Sequence, residues 1–286
     1  CRLGATIEPA TQAALETCAG GLADIASERI GQELDGILAT GRAAWALRSE
    51  FVVMAAAVPE LAPMAGFDQR SPYHAYDVLE HTARVCAGVE EFAGGMAPAA
   101  LRWAALLHDV AKPACWSEDV SGRGHFFGHP EAGARVAREV MGRLAVPGEV
   151  TRAASALVLL HDLEVRPTRA SMRRMLAELE AAAPGQARPL AFALLDLKRA
   201  DALSKAPACR GYAVELDRMG AALREELAAG GVWRVRDLSV GGADVIAERG
   251  VEPGPGVGMV LAQLLAAVME GEVPNEREAL LAWLRW

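Results

Sequence analysis

Apolar residues recur at three- and four-residue spacing along almost the whole chain, and no run keeps the two-residue alternation of a half-buried strand. Leu22, Ile25, Ile30, Leu34 and Leu38 form one such stripe, and Leu101, Ala104, Ala105 and Leu106 form another just before His108. Glycine and proline interrupt the pattern at Glu8-Pro9, Pro59 to Gly66, Ser71-Pro72, Gly122 to His129, Pro147, Pro167, Pro184-Gly185, Gly230-Gly231 and Pro253 to Gly256. About a dozen helices of ordinary length fit between these breaks, so the expected fold is all-α, a multi-helix bundle. With 286 residues, 52% of them hydrophobic, the chain has ample material for a core. Its most apolar run, Val257 to Met269, is interrupted by Gln263 and predicts a buried helix rather than a membrane span.

The chain divides by residue type into three zones: 1–66, helical and without histidine; 67–210, which holds all six histidines; and 211–286, amphipathic helix again. A net charge of −8 excludes a surface coated in basic, nucleic-acid-binding side chains, though a local patch is compatible with it. Five scattered cysteines without a CxxC pair fit free thiols in a reducing cytoplasm. Only three of the 29 basic residues are lysines, Lys112, Lys198 and Lys205. The chain opens on Cys1 rather than methionine and has no secretion signal, so the expectation is the C-terminal part of a longer protein.

His74, His81, His108, His125, His129 and His161 crowd into the central zone. Two His-Asp doublets, His108-Asp109 and His161-Asp162, each end an apolar helical run. Burying such a pair is costly unless a partner satisfies it, and a metal ion does so. Imidazole with carboxylate suits divalent Fe, Mn, Co, Ni or Zn, whereas Ca and Mg favour all-oxygen cages. No HExxH zinc-protease pattern is present.

The order His81, His108-Asp109, then Asp201 in Arg199-Ala200-Asp201-Ala202, with HDxxK at His108 to Lys112, resembles the HD superfamily of all-α metal-dependent phosphohydrolases. That resemblance implies that His81, His108, Asp109 and Asp201 hold a first metal, with His129 and His161 completing a second site and Asp109 bridging. The implied cofactor is one or two divalent transition metal ions, Fe, Mn, Co or Ni first, with Mg or Zn as alternatives, clamping a phosphoryl oxygen and activating water for in-line attack. Asp109 and Lys112 become the catalytic candidates, Lys112 as a phosphate holder three residues further along a continuing helix. His125, in the Gly-flanked loop Gly124 to His129, and Arg169 and Arg173, in a basic patch with Arg166 and Arg174, are substrate-binding candidates. Each also reads as an ordinary loop or solvated-face residue. His74 and Asp77 share a helical face with His81 and are candidates to orient it, while Asp162 is a weaker ligand candidate.

Tyr73 to Thr82, Leu101 to Pro113, Gly122 to Gly133, the opening Leu3 to Thr11 with Ser27 to Leu34, and the ending Gly271 to Leu281 together resemble bacterial CCA-adding tRNA nucleotidyltransferases with an HD domain. The bundle is then HD-domain phosphohydrolase-like, flanked by helical neck and tail segments. Glu28, Arg29, Glu33 and Arg2 take neck positions that orient nucleotide and acceptor stem, or equally form an exposed paired helix face. The family's nucleotidyltransferase head, a Gly-Ser turn and paired aspartates on a sheet, is expected to be absent, so CCA addition is not expected from this chain. The expected activity is hydrolysis of phosphodiesters or phosphomonoesters on nucleotides or tRNA 3′ ends, in the cytoplasm, without DNA or membrane partners. Self-association into a homo-oligomer is compatible with this. Two other readings use the same residues: a non-catalytic tRNA-binding scaffold with a structural metal, and an HD-type di-iron oxygenase.

Overall fold

The computed structural model describes residues 4, 6–95 and 97–286; the neck candidate Arg2 lies outside them. In chain order the helices are α1 (Pro9–Cys18), α2 (Ser27–Leu38), α3 (Ala43–Ser49), α4 (Phe51–Ala57), α5 (Val78–Phe92), α6 (Ala99–Leu107) and α7 (His129–Arg143). They continue with α8 (Gly148–Leu160), α9 (Arg169–Ala182), α10 (Ala187–Ser204), α11 (Tyr212–Ala228), α12 (Gly242–Arg249), α13 (Pro255–Glu270) and α14 (Arg277–Leu284). Among the described residues the only sheet is an antiparallel pair, β1 (Ser117–Glu118) with β2 (Gly124–His125). The fold is therefore all-α, a multi-helix bundle. No helix among the described residues is long and apolar enough to cross a membrane.

One expected stripe is broken. Leu22 lies in a short 3-10 segment, Ala19–Asp24, and α2 starts only at Ser27. Leu34 and Leu38 are buried as expected, whereas Ile25 is 44% exposed. Ile25, at φ −92° and ψ 140°, and Ala26, at ψ 127°, are extended between the two segments, so their side chains do not share one helical face.

Two compact units result. The first runs through Leu163 and resumes over Phe192–Leu216; the second comprises Glu164–Ala191 and Asp217–Trp286. In the first, α6 packs on α5 and α8, and α8 packs on α7. Trp103, Leu106, Leu107, Met141 and Leu157 fill the space between them. Asp77 caps α5 by accepting the Glu80 amide at 2.7 Å. Val78, His81, Thr82, Val85, Cys86 and Val89 then form a buried stripe with helical period, which carries the His81 ring inward. Gly88, two turns beyond His81, meets Ala200 of α10 so closely that an added Cβ would sit 3.0 Å from the Ala200 Cβ. That close crossing sets Asp201 beside the His81 stripe. In the second unit, Val245, Leu264, Leu280 and Leu284 form the core of α12 to α14.

Gly31 of α2 faces the Leu144 carbonyl, which an added Cβ would approach to a clash. Alanine gains about 1 kcal/mol of helix propensity, but backbone overpacking costs roughly 1–3 kcal/mol. Gly31→Ala is expected to lower the urea midpoint, while Gly258→Ala in α13, where nothing approaches within 4 Å, is expected to raise it.

Glu90 of α5 is 7% exposed, and neither carboxylate oxygen has a hydrogen-bond partner. Burial pushes its carboxyl above the ordinary value, against the opposing Arg102 charge. A raised carboxyl favours the folded state at low pH, and that advantage is lost as pH rises through the folded value. Glu90→Gln is therefore expected to raise the urea midpoint at pH 8, a gain that shrinks towards pH 4 in the same titrations.

Candidate metal centre

Both His-Asp doublets sit where a helix has just ended. The last α6 residue is Leu107, and Pro113 cannot continue the helix. The chain tightens into i→i+3 bonds, Val110 N to Leu107 O and Lys112 N to Asp109 O. His108 donates from Nδ1 to the Ala105 carbonyl at 2.9 Å, satisfying one of the carbonyls that a helix end leaves without a partner. After α8, His161 does the same to the Val158 carbonyl at 2.7 Å. His129 opens α7 and donates from Nδ1 to the Phe126 carbonyl at 2.8 Å.

A carbonyl oxygen only accepts, so each of these rings is protonated on Nδ1 when neutral and presents a bare Nε2 lone pair. The Nε2 atoms converge in pairs. His81 and His108 approach at 3.4 Å, and His129 and His161 at 3.2 Å. His81 Nδ1 faces the Ser204 carbonyl at 3.4 Å, and two neutral imidazoles protonated on Nδ1 offer each other no donor. Between the pairs lies Asp109, 1% exposed, with neither oxygen in a well-formed hydrogen bond. Oδ2 is 3.4 Å from His81 and 3.2 Å from His108, and Oδ1 is 3.6 Å from both His129 and His161.

The donors thus form two groups that share Asp109: His81, His108 and Asp109, and Asp109, His129 and His161. Asp201 comes from α10 to within 3.1 Å of His81 Nε2. Imidazole lone pairs without donors, turned on both oxygens of a buried carboxylate, make a mixed nitrogen–oxygen donor set that fits divalent metal ions.

Electrostatics point the same way. Burial works against charge on Asp109, but His108, which the carboxylate itself pulls towards the protonated form, and the Lys112 ammonium hold its carboxyl well below the usual range. On Asp201, burial is likewise outweighed, by the Lys205 ammonium 2.5 Å from Oδ2 and by His81. Burial lowers His81 and His129 despite nearby carboxylates, so both stay neutral and able to ligate.

A pocket of about 350 Å³ adjoins the centre and shares Lys112, His129 and Asp162 with its surroundings. The continuing helix expected at Lys112 is replaced by the tight turn. The three-residue spacing still brings its ammonium 2.7 Å from Asp109 Oδ2. Gln69, buried and bonded to the Tyr76 carbonyl, accepts from Lys112 at 3.0 Å; no periodicity or motif marked this residue.

His74 and Asp77 are placed otherwise than a shared helical face implies, because α5 begins after them. Asp77 is occupied as the helix cap and by the Gly66 amide, so it does not orient His81. His74 sits in a turn, yet its ring meets His81 edge-on at 5.6 Å, and burial lowers it to about 3. Asp162 is 51% exposed and faces His129 at 3.5 Å. His125 lines the pocket and donates from Nε2 to Asp119 at 2.8 Å.

Arg169 and Arg173 lie in the second unit, both on the fully buried Glu226. Arg173 also donates to the Val268 carbonyl, while Arg166 pairs with Glu164 and Arg174 with Glu270. Each of these arginines is paired within its own unit, and the pocket's cationic side chains are Lys112, Arg123 and Lys205.

Comparison with known proteins agrees with this centre. Residues 73–206 match the family model described as HD domain. Residues 4–63 match "Probable RNA and SrmB- binding site of polymerase A", and residues 208–284 match "tRNA nucleotidyltransferase domain 2". The chain is 33% identical over 298 residues to the A-adding tRNA nucleotidyltransferase of Deinococcus radiodurans, covering 99% of this chain and 65% of that protein. It is 32% identical over 264 residues to the CC-adding tRNA nucleotidyltransferase of Thermus thermophilus, covering 91% and 57%. The crystal structure of the Bacillus stearothermophilus CCA-adding enzyme in complex with CTP aligns with a TM-score of 0.66 at 25% identity, covering 99% of this chain and 57% of that one. The chain spans less than two thirds of the length of these relatives.

These matches correct the expectation of a headless protein to which nucleotide addition is closed. That expectation rested on where the sequence starts, which decides nothing about the protein it belongs to. Alignment to nucleotidyltransferases runs through 99% of the chain, and its last segment matches a nucleotidyltransferase model. CCA-type addition is therefore not excluded.

Asp109→Ala removes the carboxylate common to both groups. Elemental analysis after loading with Mn or Co is expected to show divalent metal reduced by half or more relative to the wild type.

Proposed function

We propose that the HD centre is a divalent-metal-dependent phosphohydrolase acting on phosphoesters at tRNA 3′ ends, in a protein of tRNA nucleotidyltransferase type for which nucleotide addition stands as an activity. The observation that carries the hydrolytic reading is the pairing of four Nε2 lone pairs on the two oxygens of one buried carboxylate, beside a cationic pocket. The tRNA assignment draws on the relatives, which are named for adding nucleotides to tRNA.

His81, His108, Asp109 and Asp201 would hold one ion, and Asp109, His129 and His161 a second, with the nitrogen-rich set favouring Fe, Mn, Co or Ni. Bound there, such ions polarise a phosphoryl oxygen and acidify water. The rest of the chemistry belongs to the chain. Backbone carbonyls at three helix ends fix the imidazole tautomers, so the ligands need no reorganisation. Lys112, held by Gln69 on the edge of the pocket, offsets negative charge that develops on the transferring phosphoryl group. The burial of Asp109 and its neighbours keeps bulk water from screening that interaction.

Hydrolysis of 2′,3′-cyclic nucleotides and of p-nitrophenyl phosphate by the Mn- or Co-loaded protein tests this. Chelation is expected to abolish turnover, Asp109→Asn to reduce it to background, and Lys112→Ala to lower kcat/KM by roughly 100-fold. Equal rates for the metal-loaded wild type and Asp109→Asn would overturn the hydrolase reading.

A further inference from the structure

The loop between β2 and α7 divides two adjacent phenylalanines. Phe126 turns inward, edge-on to Phe67 at 6.5 Å and beneath the Lys112 ammonium at 5.4 Å. Phe127 turns outward and is 79% exposed. Gly128, at φ 75°, takes the left-handed turn that lets the chain reverse into α7 directly after this divergence.

A single exposed phenylalanine needs no explanation. This one belongs to a built surface. Its ring lies parallel to His125, at an interplanar angle of 5° and a centroid distance of 5.3 Å. His125 is itself fixed by the Asp119 carboxylate, which also accepts from the Ser121 and Arg123 amides. The two rings line the pocket that reaches Lys112 and His129. Tyr73, half-exposed and covered by Arg123 at 5.1 Å, lines it as well.

We propose that Phe127, backed by His125, is a stacking platform for the base of an unpaired terminal nucleotide whose phosphate lies by Lys112, which makes Phe127 a specificity-determining residue of this site. The proposal deepens the phosphohydrolase reading and rests on it for the phosphate position. A cationic end and a flat aromatic surface in one pocket match the two halves of a nucleotide. A pocket of about 350 Å³ is at the small end of ligand sites, which run from roughly 300 to 1,000 Å³. It takes one nucleotide unit, not a base pair, so the substrate end has to be single-stranded. Stacking uses a face that every base has, so purines are favoured by area while no base is refused.

The test compares adenosine 2′,3′-cyclic phosphate, which has a base, with β-glycerophosphate, which has none, using the metal-loaded full chain and the variants Phe127→Ala and Phe127→Trp. The ratio of kcat/KM for the nucleotide to that for glycerophosphate is expected to fall about tenfold in Phe127→Ala, carried by KM rather than kcat. Phe127→Trp is expected to restore it. An unchanged ratio in Phe127→Ala would overturn the platform while leaving the hydrolase reading intact. If the wild type hydrolyses neither compound, the hydrolase reading fails by itself. Equilibrium dialysis of adenosine 3′-phosphate then decides the platform: about tenfold weaker binding to Phe127→Ala supports it, and equal binding to both proteins overturns it.

Discussion

Everything around the centre follows from one buried carboxylate. Asp109 is 1% exposed, and leaving a charge there without partners would cost several kcal/mol. The protein surrounds it with imidazole nitrogens on both oxygens and with the Lys112 ammonium on one. These groups come from α5, α7 and the ends of α6 and α8, so the helices can pack only where their ends or inward stripes meet at this carboxylate. The close crossing of α5 and α10 at Gly88 and Ala200 belongs to the same requirement, since Asp201 could not reach His81 across a wider gap.

The helix ends solve two problems at once. A helix that stops inside a core leaves carbonyls without donors. His108 and His161 satisfy one each through Nδ1, and this bond aims Nε2 at Asp109. Lys198 extends the pattern, donating to the His161 carbonyl at 2.6 Å. Backbone hydrogen bonding and ligand orientation are therefore the same contacts, which makes the centre a structural element of the first unit as well as its candidate site.

The second unit handles buried charge differently. Glu226 is fully buried and meets Arg173, which also donates to Val268. Paired charge of this kind shapes packing. The basic stretch after His161 is equally arginine-rich in sequence whether its side chains are free or paired. For Arg169 and Arg173 the position of Glu226, more than fifty residues away along the chain, separates the two cases.

How much was legible in advance depends on the range of the interaction. Helix content and the doublets at helix ends are local, set by spacing along three or four residues, and the sequence carries them; the wider set of donor residues came from the order of histidines and aspartates that resembles the HD superfamily. The Lys112 to Asp109 contact survived the replacement of a helix by a tight turn because an i,i+3 pair stays together in either geometry. His74 and Asp77 were harder: the start of α5 depends on which residue caps it, and Asp77 took that role. The break between Leu22 and Ser27 similarly required the backbone. The two-sided exposure of Asp109 to its histidines, the support of Lys112 by Gln69 and the outward turn of Phe127 were decided by tertiary structure alone. Each depends on segments far apart in sequence arriving at one place, and no periodicity within a single segment encodes that meeting.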